Sequence, residues 1–153
     1  MTAPVKLTVR SQPSHLRVVR SVVERMCEII GFDDAVAGRI VLSVDEAMTN
    51  IIRHAYDGAG DEPIEIELSS LDAPGGGLRV TLRDWGRRVE RSRIRPRDLA
   101  DVRPGGLGVH IIASCMDRMD YQPADGGGTM LILEKKLSTG CPPAAAPKEP
   151  GGR

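Results

Sequence analysis

Glu46 and Asn50 stand four residues apart in an amphipathic stretch, the spacing that stacks two side chains one turn apart on the same side of an α-helix. A carboxylate and a carboxamide so placed can act on one object. The carboxylate accepts a proton from a hydroxyl or water attacking a γ-phosphate, and the amide oxygen ligates a hard cation such as Mg²⁺ that takes its other oxygens from phosphates and water. Three further clusters carry compatible chemistry. Asp84-Trp85-Gly86 leaves a strand at a sharp turn, where a fixed carboxylate can accept a hydrogen bond from an exocyclic amine such as adenine N6 and Gly86 lets a flat base approach the backbone. Gly105, Gly106 and Gly108, around Leu107, open a helix with bare amides and the positive end of its dipole, which suits phosphate oxygens. Thr129, after three glycines, can offer a hydroxyl at the ligand's edge. Singly, the Glu46–Asn50 pair is more commonly a solvated helix face and Asp-x-Gly an ordinary turn, while the glycines alone fit a flexible helix start and Thr129 a plain strand residue. Four elements of suitable chemistry in one chain imply that they converge on one ligand.

The elements that must position these groups are legible in the hydrophobic periodicity. Ile40, Val41, Val44, Met48, Ile51, Ile52 and Ala55 fall on one arc of a helix that Asp33 and Asp34 cap, that runs to about Tyr56, and that residues 57–60 close. Glu46 and Asn50 lie nearly opposite that arc. Upstream, alternation over residues 5–10 predicts a short strand, and Ser11-Gln12-Pro13-Ser14 starts a helix that Gly31 ends. That helix buries Leu16, Val19, Val22 or Val23, Met26 and Ile30, and turns Arg17 and Arg20 outward. Residues 64–69 and 78–83 alternate as a hairpin. Residues 87–103 carry seven arginines against Glu90, Asp98 and Asp101, which predicts an exposed basic loop. A third helix from Leu107 to about Met116 turns Val109, Ile112, Ala113 and Met116 inward, and residues 119–122 and 129–136 pair as a second hairpin. The order predicts an α+β fold, a two-layer sandwich with helices on one face of a mostly antiparallel sheet.

Composition narrows the class. With 153 residues a single domain over residues 1–137 is expected, followed by a disordered Pro/Gly/Ala-rich tail over residues 138–153. Lysine plus arginine balances aspartate plus glutamate at 21 each, and aromatics make up 3%, so neither a nucleic-acid field nor base-stacking surfaces are expected. The first residues hold no apolar core of a leader, and no later run approaches the roughly 18 apolar residues of a membrane span, so a cytoplasmic protein is expected. Cys27, Cys115 and Cys141 match no disulfide or metal spacing; free thiols are expected.

Glu46-x-x-x-Asn50 with His54-Ala55-Tyr56 resembles the N box of GHKL-type ATPases. Asp84-Trp85-Gly86 is similar to their first glycine box, Gly105-Gly106-Leu107-Gly108 to their second, and Gly128-Thr129 to their final threonine motif. The compact length and the run from Arg103 to His110 resemble the bacterial anti-sigma-factor serine/threonine kinases, over roughly residues 5–137. The resemblance implies a Bergerat-type ATP-binding fold, ATP and Mg²⁺ as cofactors, and transfer of the γ-phosphoryl group to an anti-sigma antagonist of the STAS type. It implies Glu46 as catalytic base, Asn50 as the Mg²⁺ ligand, and Asp84 as the adenine contact. Gly86, Gly106 and Gly108 match backbone positions near base and phosphate. It further implies a sigma factor as sequestered partner, a homodimer, and a basic partner contact on the first helix, where Arg17 and Arg20 stand. Arg88 replaces a second glycine of the first box, and Val89 an aromatic that often follows it. A sequestering module without kinase activity would use the same fold. Glu46 separates the two readings, because nucleotide binding has no evident use for a second carboxylate beside the γ-phosphate.

Overall fold

The computed structural model describes residues 3–87 and 107–138. The remainder of the basic loop from Arg88, the Arg88 and Val89 departures, Gly105 and Gly106, Cys141 and residues 139–153 lie outside the described residues.

Strand β1 (Val5–Arg10) leads through a 3₁₀ turn (Pro13–His15) into helix α1 (Leu16–Ile30). Gly31 ends α1 in the left-handed region at φ 98°, where its amide bonds the Cys27 carbonyl, a conformation that only glycine adopts without steric cost. Helix α2 (Asp34–Asn50) starts on Asp33, whose carboxylate accepts the Val36 amide at 2.8 Å. The helical path does not continue evenly to Tyr56 as periodicity predicts. Directly after Asn50 it widens into a π-helical turn over Ile51–Ala55, and the Tyr56 amide bonds the Ile51 carbonyl five residues back. The wider turn keeps Ile51, Ile52, Ala55 and Tyr56 all buried.

The rest is β2 (Pro63–Ser70), β3 (Gly77–Arg83), α3 (Leu107–Cys115), β4 (Arg118–Pro123) and β5 (Thr129–Lys136). The five strands form one antiparallel sheet in the order β1-β2-β3-β5-β4. Ile64, Ile66 and Leu68 of β2, Val80 and Leu82 of β3, and Leu131 and Leu133 of β5 point to one side, where the helices cover them. The opposite side is charged. Lys6 pairs with Glu67 directly across from it at 2.9 Å, and Arg79 with Glu134 at 2.7 Å. This is the expected α+β two-layer arrangement.

Three details refine the periodicity reading. Val23 is fully buried and Val22 only half, which resolves that alternative. In α3, Ala113 is exposed and Cys115 takes the inward position, because the helix ends at Cys115 and Met116 is buried beyond its end. Arg17 and Arg20 are both exposed as expected, but Arg20 is also paired: its Nε donates to the half-buried Asp45 carboxylate of α2 at 2.5 Å and ties the two helices together. Cys27 and Cys115 are free and buried, and burial, followed by the Glu24 charge, pushes the Cys27 thiol up to about 11. No described helix is long and apolar enough to cross a membrane.

Candidate functional site

Glu46 and Asn50 are half-buried on α2 because α3 packs across that side. The contact is at Gly108, the second residue of α3. A Cβ there would stand 2.6 Å from Glu46 Oε2 and 3.6 Å from Asn50 Nδ2. The bare backbone of Gly108 lets the Glu46 carboxylate lie directly against the first turn of α3, with Asn50 at ordinary van der Waals distance, so one of the second-box glycines meets the two N-box side chains.

Asp84 follows β3 and prolongs the ladder to β5: its amide donates to the Thr129 carbonyl at 3.0 Å and its carbonyl accepts from the Thr129 amide at 3.3 Å. The residue is 4% exposed, and Oδ1 accepts the Gly86 amide at 2.9 Å, closing a turn of the Asx type. Burial pushes the Asp84 carboxyl above its ordinary value, opposed by the amides of Gly86 and Thr129 and by the Arg83 charge. Gly86 is required sterically. A Cβ there would fall on the backbone carbonyl of Ala55, and the next amide, of Arg87, donates to that same carbonyl at 2.9 Å. Gly128, at φ 77°, is equally constrained, since a Cβ would fall on the Asp84 carbonyl and the Trp85 backbone. Thr129 is half-buried beside this turn.

Thus Glu46, Asn50 and Gly108 come together at the α2–α3 contact, while Asp84, Gly86 and Thr129 form a second group at the ends of β3 and β5. The π-helical end of α2 links the two groups, because Asn50 begins it and Ala55 touches Gly86. Sequence reasoning gave no site role to three residues here, although Tyr56 and Gly128 stood within the motifs it quoted. Tyr56 is 8% exposed and hydrogen-bonded to the Asp84 turn; Gly128 is fitted to the Asp84 backbone; and the Tyr121 hydroxyl is pushed up to about 12 by burial and the Asp84 charge. No local pattern marks Tyr121, whereas the triple glycine did flag residue 128.

The donor set suits a nucleotide. A buried carboxylate can receive an amine edge, and a carboxamide and a carboxylate stand beside a helix start. Among the described residues, no three His, Cys, Asp or Glu side chains cluster as a metal cage, so a cation held by Asn50 would need phosphate and water oxygens as well.

A five-stranded antiparallel sheet with helices on one face defines a GHKL-like ATPase fold. The chain belongs to the histidine kinase-like ATPase domain family, which residues 9–135 match. It is 26% identical over 141 residues to the serine-protein kinase RsbW of Halalkalibacterium halodurans, covering 87% of this chain and 83% of that protein. It is 27% identical over 104 residues to an anti-sigma F factor of Clostridium perfringens, covering 65% and 72%. Among solved structures, that of the RsbU and RsbW domains of Rv1364c from Mycobacterium tuberculosis contains a region that shares its fold, with a TM-score of 0.62 at 21% identity. That superposition takes in 89% of this chain and 33% of the larger one.

Proposed function

We propose that this chain is an ATP-dependent protein serine/threonine kinase of a partner-switching system, which sequesters a sigma factor and phosphorylates the STAS-type antagonist of that sequestration. The observation that carries the reading is the meeting of Glu46 and Asn50 at the glycine start of α3. A partner-binding surface has no need for a glycine there, whereas phosphate recognition by helix amides does. The names of the relatives supply the partner class. Family resemblance supplies the homodimer, and a cytoplasmic setting is compatible with described helices that are all too short or too polar to cross a membrane.

In this reading Asp84 receives the adenine amine, with Gly86 and Thr129 beside the base. Gly108, with Gly105 and Gly106 by resemblance, would offer amides to the phosphates, and Asn50 would hold Mg²⁺ through its carboxamide oxygen. Bound Mg-ATP supplies the transferable phosphoryl group and the cation that neutralises its charge. Glu46 accepts the proton of the attacking serine or threonine hydroxyl as that oxygen bonds to the γ-phosphorus and the bridging oxygen leaves with ADP.

The test is Glu46→Gln, which keeps shape and removes basicity. Single-turnover transfer to a cognate antagonist at saturating ATP is expected to fall by on the order of 10²- to 10⁴-fold, with ATP affinity and sigma-factor binding retained. Equal rates for variant and parent would end the base assignment. A parent that binds sigma factor but never transfers phosphate would establish the sequestering module instead.

A further inference from the structure

We infer that Tyr56 is a positioning residue: its hydroxyl is the strut that holds the Asp84–Gly86 turn against the end of the helix carrying Glu46 and Asn50. The inference rests on the nucleotide-site reading above and assigns a role to a side chain to which that reading gives none.

The Tyr56 hydroxyl has two partners on two different elements. It donates to the Pro63 carbonyl at the start of β2, at 2.6 Å, and accepts the Trp85 amide at 2.8 Å. One oxygen therefore joins the end of the π-helical turn, the first residue of β2 and the loop after β3. Burial raises the hydroxyl above its ordinary value, so it stays neutral and keeps the proton that the Pro63 contact requires. Around it, the Ala55 carbonyl accepts the Arg87 amide and packs on Gly86, and the Arg87 guanidinium pairs with Asp57. The turn bearing Asp84 is thus fastened on one side by the ladder to Thr129 and on the other by Tyr56 and Ala55.

The π-helical geometry is what brings Tyr56 there. One wide turn between Asn50 and Tyr56 sends the hydroxyl inward toward Pro63 and Trp85 while Ile51 and Ile52 stay in the core. Tyr56→Phe preserves the ring's packing but leaves the Trp85 amide and the Pro63 carbonyl without this partner, a cost that falls on the turn. If the competent turn becomes a minor state, apparent nucleotide affinity drops by its population.

Trp85 provides a direct readout. It is the sole tryptophan of the sequence, 38% exposed, with the Arg83 guanidinium 4.7 Å from its ring centre. In the nucleotide-free protein, Tyr56→Phe is expected to change Trp85 emission and raise its quenching by acrylamide, and in calorimetry to weaken Mg-ATP binding by about tenfold. Val23→Ala, a core truncation on α1, is the control for general destabilisation and is expected to leave both readouts at parental values. Parental quenching and parental affinity in Tyr56→Phe would overturn the strut, as would equal changes in the Val23→Ala control. A parent that does not bind Mg-ATP would overturn the nucleotide site instead, and the strut would then stand or fall on the quenching comparison alone.

Discussion

Gly108→Ala is the sharpest test of the contact between α2 and α3. The added methyl carbon would stand 2.6 Å from Glu46 Oε2, 3.5 Å from Glu46 Cδ and 3.6 Å from Asn50 Nδ2. To reach even 3.0 Å the carboxylate must retreat by about 0.4 Å, and an ordinary contact near 3.4 Å takes about 0.8 Å. The obstructing atom is the end of a flexible side chain, so the fold need not yield. Rotating the side chain costs roughly 0.5–1.5 kcal/mol. Replacing glycine by alanine within a helix returns up to about 1 kcal/mol, so the melting temperature is expected to stay close to the parent's. Asn50 meets the new methyl at van der Waals distance, and Mg-ATP affinity is expected to change little. Transfer is different, because a base displaced by most of an ångström loses alignment with the attacking hydroxyl. A fall in single-turnover rate of about 10- to 100-fold is expected. Melting curves, calorimetry with Mg-ATP and single-turnover phosphorylation would be measured on the same preparation. An unchanged transfer rate in a folded, ATP-binding variant would refute the claim that the Glu46 position matters to chemistry.

Two further substitutions probe the base end. Because burial holds the Asp84 carboxyl above its ordinary 3.8, the fold favours the protonated form, and ionisation takes stability away as pH rises through the folded value. Asp84→Asn is therefore expected to melt higher than the parent at neutral pH, with the gap closing in acid below 3.8, and to lose preference for adenine over guanine nucleotides. A parent-like melting profile across pH would contradict the first half, and retained adenine preference the second. Gly86→Ala places a methyl on the Ala55 backbone, where nothing flexible can move aside. A loss of about 1–3 kcal/mol of stability and of nucleotide binding is expected, and chemical denaturation with calorimetry would expose an error in either.

The fold was legible wherever period and burial coincide. Strands β2 and β3 alternate because one face meets the helices and the other meets water, and Asp33 starts α2 and Gly31 ends α1 by local chemistry that needs no tertiary knowledge. The end of α2 was not legible: an inward run such as Ile51-Ile52 with Ala55-Tyr56 fits an α-helix in composition, and the π turn goes with Tyr56 contacts to Pro63 and Trp85 that lie across the chain. Arg20 illustrates the same limit. Its helical position points outward, yet the side chain is long enough to reach Asp45 on the neighbouring helix, a pairing that only the packing of α1 on α2 reveals. Glu46, Asn50 and Gly108 were marked by spacing and by glycine content, but their contact depends on how α3 crosses α2.

The glycines of the two halves differ in what they face, and that difference divides binding from chemistry. Gly86 and Gly128 abut main chain, the carbonyl of Ala55 and the carbonyl of Asp84, so a side chain at either would displace the turn that fixes the Asp84 carboxylate. Gly108 abuts a side chain, that of Glu46, which can swing away while α3 stays in place. The same methyl group therefore reports on different steps according to where it is added. At the base end it acts on the architecture that any nucleotide would need, whether or not phosphate is ever transferred. Beside Glu46 it acts on one carboxylate whose placement matters to a kinase and not to a module that only holds a partner. A transfer defect confined to Gly108→Ala, set against a folding and binding defect in Gly86→Ala, is the pattern that a catalytic Glu46 requires; a sequestering module has no transfer for the first substitution to impair.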